Sequence, residues 1–241
     1  MTLSVIIPVK NEEKIIEDTL NKLNESWLTN IEHEIIIIDD YSSDNTANLI
    51  KNNKSNKLNI ILKNNLKSGL GSAIITGIDN SSKKYLCIYM SDMSDSLEDL
   101  KLYYETIKEN DSLNAVFGSR FIKGSRISNY PVFKLFLNRL ANNLIKFIFF
   151  SKFNDFTNAF KIYKKSTLIK LYPLVSENFN IFLELPLKIM TRNLNYKIVS
   201  INWYGRKIGE SKFKIKEMSS KYIFTLLYCL LEKILLNKKI K

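Results

Sequence analysis

The sequence predicts an α/β fold, a predominantly parallel sheet flanked by helices, and three observations carry that expectation. Short apolar runs rich in Ile and Val alternate with helical patterns through the first half of the chain. Those runs stop abruptly at Asp, Ser or Asn, as strands do when their carboxyl ends feed loops at one edge of a sheet. Four consecutive Ile at 35–38 suit a strand buried on both faces, which a sheet covered by helices on two sides requires.

Taken in order, residues 3–9 (LSVIIPV) form the first apolar run, and Asn11, Glu12 and Glu13 lead into helical spacing from Ile15 to Leu23. Residues 34–40 (EIIIIDD) repeat the plan, ending at Asp39 and Asp40, with Ser42, Ser43 and Asp44 placed to cap the next helix. A third strand is expected over 58–62, a helix over 69–78, a fourth strand over 85–90 and another over 115–119. Gly69 and Gly71 at the start of the helix over 69–78 could cradle a phosphate, although the third Gly and the Lys-Ser/Thr of phosphate loops are missing.

At 241 residues with 45% hydrophobic content, the chain is large enough for one domain with a sizeable core. The net charge of +12 is unevenly placed. Residues 1–110 hold 12 Lys and Arg against 17 Asp and Glu, whereas 111–241 hold 24 against 7. An acidic half fits a metal site, and a basic half fits phosphates or an anionic membrane surface. Nucleic acid is not expected, because the aromatics of the basic half lie on an apolar stripe instead of alternating with Arg as a stacking platform. Cys87 and Cys229 lack metal-like spacing, so a reducing compartment without a disulfide is expected, and no secretion signal opens the chain. His33, the single His, is read as structural.

Chemistry concentrates in residues 84–99 (KYLCIYMSDMSDSLED), where a buried strand ends in Ser91, Asp92, Ser94 and Asp95. Closely spaced carboxylates and hydroxyls suit a hard divalent cation, which takes oxygen ligands. In an open parallel sheet Asp39, Asp40, Asp92 and Asp95 should converge at one edge, while Asp44 and Asp99 read as helix caps. Arg120, after residues 115–119, could pair with a phosphate or with a neighbouring carboxylate.

Further on, Phe133, Phe136, Leu137, Leu140, Leu144, Phe147 and Ile148 fall on one helical face, opposite Lys134, Asn138, Arg139, Asn142, Asn143 and Lys146. Such a stripe either lies on the sheet or inserts at a membrane interface. Residues 222–236 are apolar but only 15 long and include Glu232 and Lys233, whereas a spanning helix needs ~20 apolar residues. Lys238, Lys239 and Lys241 follow. Peripheral attachment at the cytoplasmic face of the membrane is the expectation.

Eight segments in order, VIIPVKNEE, EIIIIDDYSSDNT, GLGSAIITGI, MSDMSDSLEDL, GSRFIKG, NRLAN, DFTNAFKIY and WYGRKIGESK, resemble glycosyltransferase family 2 and, within it, the dolichol-phosphate and polyprenyl-phosphate mannosyltransferases. The resemblance implies a GT-A (Rossmann-like) fold over residues 1–212, with 213–241 as an amphipathic helical tail. It implies Mg²⁺ or Mn²⁺, a nucleotide-diphosphate sugar donor of the GDP-mannose or UDP-glucose type, and a polyprenyl phosphate acceptor. By matched position, Pro8, Lys10, Glu12, Ile38, Asp40 and Ser91 would form the nucleotide pocket, and Asp92 would bind the metal. Arg120, Arg206 and Lys212 would hold phosphates, and Lys134, Asn138 and Arg139 would lie at the lipid phosphate. Met90 stands where relatives have the first Asp of Asp-x-Asp, so Asp95, or Ser94 through its hydroxyl, would replace that ligand. Lys10 and Tyr41 replace residues that are commonly aromatic and Gly. The rival readings are transfer to a hydroxyl, with Glu184 a candidate base that more often is structural, and a non-catalytic binding protein.

Overall fold

The computed structural model of the protein describes residues 2–53, 55–205 and 215–238. Strands β1 (Thr2–Val9), β2 (Glu32–Asp39), β3 (Ile60–Asn64) and β4 (Tyr85–Ile88) run parallel, and the expected helices follow them as α1 (Ile16–Asn24), α2 (Thr46–Lys51), α3 (Leu70–Asn80) and α4 (Leu97–Glu109). Beyond them come β5 (Ala115–Ser119), β6 (Ile127–Ser128), α5 (Val132–Phe149), β7 (Lys161–Lys164), α6 (Lys165–Lys170), α7 (Ile181–Thr191), β8 (Tyr196–Ser200), β9 (Trp203–Tyr204) and α8 (Ile215–Lys238). The seven-stranded sheet has the order β3-β2-β1-β4-β7-β5-β8, and β6 pairs with β9 beside it.

Alternation along the strands divides the core in two. Leu3, Val5, Ile7, Ile35 and Ile37 pack with Ile16, Leu20 and Leu23 of α1 and with Leu100, Tyr103 and Ile107 of α4. Ile6, Ile36, Ile38, Leu86 and Ile88 point the other way, against Ile74 and Ile78 of α3 and the apolar face of α7. That is the two-sided burial expected from consecutive Ile residues.

One strand breaks the parallel pattern. β7 is antiparallel to both β4 and β5, with Ile88 and Phe117 each opposite Lys161. Because β7 is reversed, the turn before it lies at the edge where the parallel strands end. Residues 155–159 therefore join the carboxyl-end loops.

The stripe on α5 is not laid on the sheet. Asn142, Ile145 and Phe149 face inward, while Phe133, Phe136, Leu140, Leu144 and Phe147 are 56% to 73% exposed. The reason is polar: the chain opposite α5 is the turn at 155–158, whose Phe156 and Thr157 N–H groups need an acceptor, and Asn142 Oδ1 supplies it at 2.6 and 3.4 Å. Helix α8 is longer than the apolar segment inside it, and no described helix is long and apolar enough to cross a membrane. Its Thr225 and Cys229 are buried, whereas Ile223, Phe224, Leu227 and Leu231 remain exposed.

Glu184 is fully buried in α7, where Val175 and Ser176 N–H donate to its carboxylate and Lys188 Nζ lies 3.2 Å away. Glu184→Ala, which strands the buried Lys188, should lower the unfolding free energy by about 3–5 kcal/mol in urea titrations. Glu105→Ala, which removes an exposed pair to Lys101 at 3.9 Å, should change it by less than ~0.5 kcal/mol.

Candidate active site

A cavity of about 650 Å³ opens at the carboxyl edge of the sheet. Its walls bring together Pro8 at the end of β1, Lys10 and Glu12 after it, Asp40 after β2, and Asp92, Ser94 and Asp95 after β4. Arg120 after β5, Lys134 and Asn138 from α5, and Thr157 and Asn158 before β7 complete that side. Asn178, Phe179 and Tyr222 also line the cavity. Volumes of roughly 300–1,000 Å³ are usual for small-molecule sites.

Asp40 serves as a clasp. Its Oδ1 accepts from Gly69 N–H at 2.9 Å and from Asn65 Nδ2 at 2.7 Å, and its Oδ2 from Lys10 Nζ at 3.2 Å. Those bonds pin the Gly69 loop to the end of β2 and commit much of the carboxylate expected to meet a base or ribose. The Gly-x-Gly pair serves close packing, not an open phosphate cradle. Gly71 N–H donates to the Glu177 carbonyl, and a Cβ on Gly71 would overlap the Ser176 carbonyl.

Two residues matched to the nucleotide pocket lie outside the cavity wall. Ile38 has a fully buried side chain in the core on the α3 side, because alternation along β2 turns it to that face of the sheet. Ser91 is buried, and its carbonyl accepts from Thr19 Oγ1 at 2.7 Å, so it braces α1 and does not line the cavity. Asp39 also stays out of the wall, its Oδ1 accepting from Ser42 N–H. Asp99 accepts from Asn202 N–H while Ser96 caps α4, so the capping role falls to the serine.

Arg120 lines the cavity but is already paired. Its Nε and Nη2 donate to the two oxygens of Asp155 at 2.8 and 2.7 Å, and its guanidinium lies near the rings of Phe121, Tyr130 and Trp203. Of the two partners open to Arg120 in the sequence, the structure gives the carboxylate. Arg139 sits over Phe121 at 4.5 Å, outside the cavity wall. Arg206 and Lys212 lie outside the described residues.

Among the described residues no cluster of three or more His, Cys, Asp or Glu could hold a metal alone. Asp92, Ser94 and Asp95 nevertheless fit one bound jointly with a phosphate ligand. Ser94 Oγ and Asp95 Oδ1 are buried with no hydrogen-bond partner among the described residues. Burial, followed by the neighbouring Asp92 charge, pushes the Asp95 carboxyl up to about 8. Orphaned, mutually repelling oxygens are what a cation relieves, and Mg²⁺ in particular is held by one or two carboxylates plus substrate phosphates.

Residues 4–172 match the sequence profile of glycosyl transferase family 2. The chain belongs to that family. This family 2 chain is 26% identical over 223 residues to the dolichol-phosphate mannosyltransferase of Pyrococcus furiosus, covering 90% of this chain and 60% of that protein. It is 23% identical over 216 residues to the polyprenol monophosphomannose synthase of Mycolicibacterium smegmatis, covering 86% of this chain and 79% of that one. A Dictyostelium discoideum dolichyl-phosphate beta-glucosyltransferase is 28% identical over 223 residues, 83% of this chain and 66% of the relative. The chain thus spans less than two thirds of the Pyrococcus and Dictyostelium proteins. Among solved structures, glucosyl-3-phosphoglycerate synthase from Mycobacterium tuberculosis in complex with UDP aligns with a TM-score of 0.69 at 16% identity, over 95% of this chain and 80% of that one. A second structure of that enzyme contains Mn²⁺ with UDP and glucosyl-3-phosphoglycerate. The shared architecture is the GT-A fold expected from the sequence.

Sequence reading missed Asp155 as the partner of Arg120, and missed Thr157, Asn158, Phe179 and Tyr222 in the wall. The DFTNAF segment and the Asn138/Asn142 spacing of one helical turn were the available signals.

Asp92→Asn and Asp95→Asn should each weaken Mn²⁺ binding by roughly tenfold or more in titration calorimetry with a nucleoside diphosphate present. Asp99→Asn, already committed to Asn202, should leave it within about twofold of wild type, a margin below ~0.5 kcal/mol.

Proposed function

We propose that the chain transfers a hexose from a nucleoside-diphosphate sugar, of the GDP-mannose or UDP-glucose type, to a polyprenyl phosphate while lying on the cytoplasmic face of a membrane. The observation that carries this reading is the division of α5. Lys134 and Asn138 line the cavity, and Phe133, Phe136 and Leu140 of the same turns face outward. One helix therefore offers an apolar surface to lipid and polar groups to a phosphate attached to that lipid. Exposed Lys146 and Lys152, with Lys221 on α8, add positive charge suited to an anionic leaflet. The dolichyl- and polyprenyl-phosphate acceptors named for the relatives support the same acceptor class.

A lipid phosphate is already an anion near neutral pH, so the nucleophile needs no general base. A phosphate oxygen forms a bond to the anomeric carbon while the bond from that carbon to the diphosphate oxygen breaks. The electron pair leaves with the nucleoside diphosphate, and in-line attack inverts the anomeric centre. A divalent cation held at Asp92, Ser94 and Asp95 would supply positive charge at the departing diphosphate. Lys134 would bring a cation to the acceptor phosphate, while Pro8, Lys10 and Glu12, which also line the cavity, would contact the nucleotide. Glu184, the base considered for a hydroxyl acceptor, is outside the cavity wall and bound to backbone N–H groups and Lys188.

Incubation with a panel of nucleotide sugars, Mg²⁺ or Mn²⁺ and either polyprenyl phosphate or the matching polyprenol should yield glycolipid only from the phosphate, identified by mass spectrometry. Equal transfer to both lipids would overturn the acceptor assignment. On the membrane side, the double variant Phe136→Glu, Leu140→Glu should lose most flotation with anionic vesicles while keeping the wild-type melting temperature, since both side chains already face water. Unchanged flotation would refute this docking face.

A further inference from the structure

A threonine in the cavity wall has its hydroxyl direction set by the protein around it. The constraint begins at a backbone group whose role is unambiguous. Phe156 N–H donates to Asn142 Oδ1 at 2.6 Å, which fixes the Asn142 amide so that its Nδ2 points away from Phe156. That Nδ2 has two hydrogens: one is shared between the two acceptors of Asn138, its carbonyl at 2.9 Å and its Oδ1 at 3.0 Å, and the other goes to Thr157 Oγ1 at 3.1 Å. With its oxygen so used, Asn138 turns its own Nδ2 to Thr157 Oγ1 at 2.9 Å.

Thr157 Oγ1 thus receives two N–H donors. A hydroxyl has two acceptor lone pairs and one hydrogen, so both lone pairs are occupied and the group can only donate. Among the described residues its hydrogen meets no acceptor, and Thr157 lines the cavity together with Lys134 and Asn138. Asn142 is fully buried, so water does not compete for the amide that sets this direction.

We infer that Thr157 is a preset hydrogen-bond donor to an anionic phosphate oxygen in the cavity, oriented by Asn142 and Asn138. This rests on the lipid-phosphate reading above, which it deepens: the phosphate is assigned to the acceptor, because Thr157 is fastened to the helix whose outer face is apolar. A donor that cannot turn to accept favours a phosphate over water or a neutral alcohol, either of which can present a hydrogen as well as a lone pair. Asn142 acts through Thr157 and is a positioning residue.

The test uses the full chain and measures binding of polyprenyl phosphate and of the matching polyprenol in detergent micelles, with nucleoside diphosphate binding measured alongside. The wild type should prefer the phosphate. Thr157→Val, equal in shape but lacking the hydroxyl, should reduce that preference about tenfold, the usual size for a hydrogen bond to a charged group. Thr157→Ser should restore it, and nucleoside diphosphate affinity should stay at the wild-type level in all three. Should the Val variant unfold, Asn142→Asp gives the same reading, since a carboxylate beside Thr157 accepts its hydrogen and turns the donor inward. A preference that survives both changes would overturn this inference alone. Weakened nucleoside diphosphate binding with the lipid preference intact would move the contact to the sugar donor and overturn the acceptor assignment. A wild type that does not distinguish the two lipids would defeat the proposed acceptor itself.

Discussion

The ion pair between Arg120 and Asp155 holds together the edge of the sheet where the cavity opens. It joins the residue after β5 to the turn before β7, two segments 35 positions apart in sequence, and both partners are almost completely removed from water. Buried charges of this kind are tolerated only when each has its partner and its remaining hydrogen bonds, and Arg120 N–H adds a third bond to the same carboxylate. The cavity wall formed by α5 and residues 157–158 leans on that turn. Lys161 Nζ donates to the Phe156 and Asn158 carbonyls, and Asn158 Nδ2 reaches the Gly118 carbonyl. Asn142 takes up the turn's free N–H groups, which also fixes the rotation of α5 about its axis.

A second clasp does the corresponding work around Asp40. Asp40 binds the loop ending at Gly69, and the glycines of that loop admit the 176–178 segment to within hydrogen-bond distance of Gly71. Ser176 and Asn180 then contact Thr225 of α8 through side-chain hydrogen bonds of 3.3 and 2.9 Å. The wall near Phe179 and Tyr222 is thus assembled from three remote parts of the chain. Tyr222 itself donates to the Phe179 carbonyl at 3.1 Å.

Much of this was legible in the sequence where a local pattern carried it. Consecutive Ile residues, the Asp pairs at strand ends and the helical spacing of 133–148 each follow from one element, and the structure has each of them. What could not be read is relational. Nothing local says that residues 161–164 form a reversed strand between β4 and β5, so the turn at 155–159 had no visible place at the site. Ile38 and Ser91 match the pocket by position along a motif, which does not reveal that side-chain alternation buries Ile38 in the core or that the Ser91 carbonyl accepts from Thr19. The face of α5 that meets the protein was ambiguous for the same reason, since only the partner turn, with its unpaired N–H groups, decides it.

The outward turn of α5 has an energetic meaning beyond its geometry. Phe133, Phe136, Leu140, Leu144 and Phe147 are wet in the native state much as they are in the unfolded chain, so they contribute little to the difference between the two. Full burial of a large apolar side chain is worth about 1.5–3 kcal/mol. Folding leaves most of that sum undrawn along one side of the helix, and it becomes available to whatever apolar phase covers the stripe. On the membrane-docking reading proposed above, adsorption would need no change in the fold, and substitutions that weaken it would be separable from those that weaken the molecule.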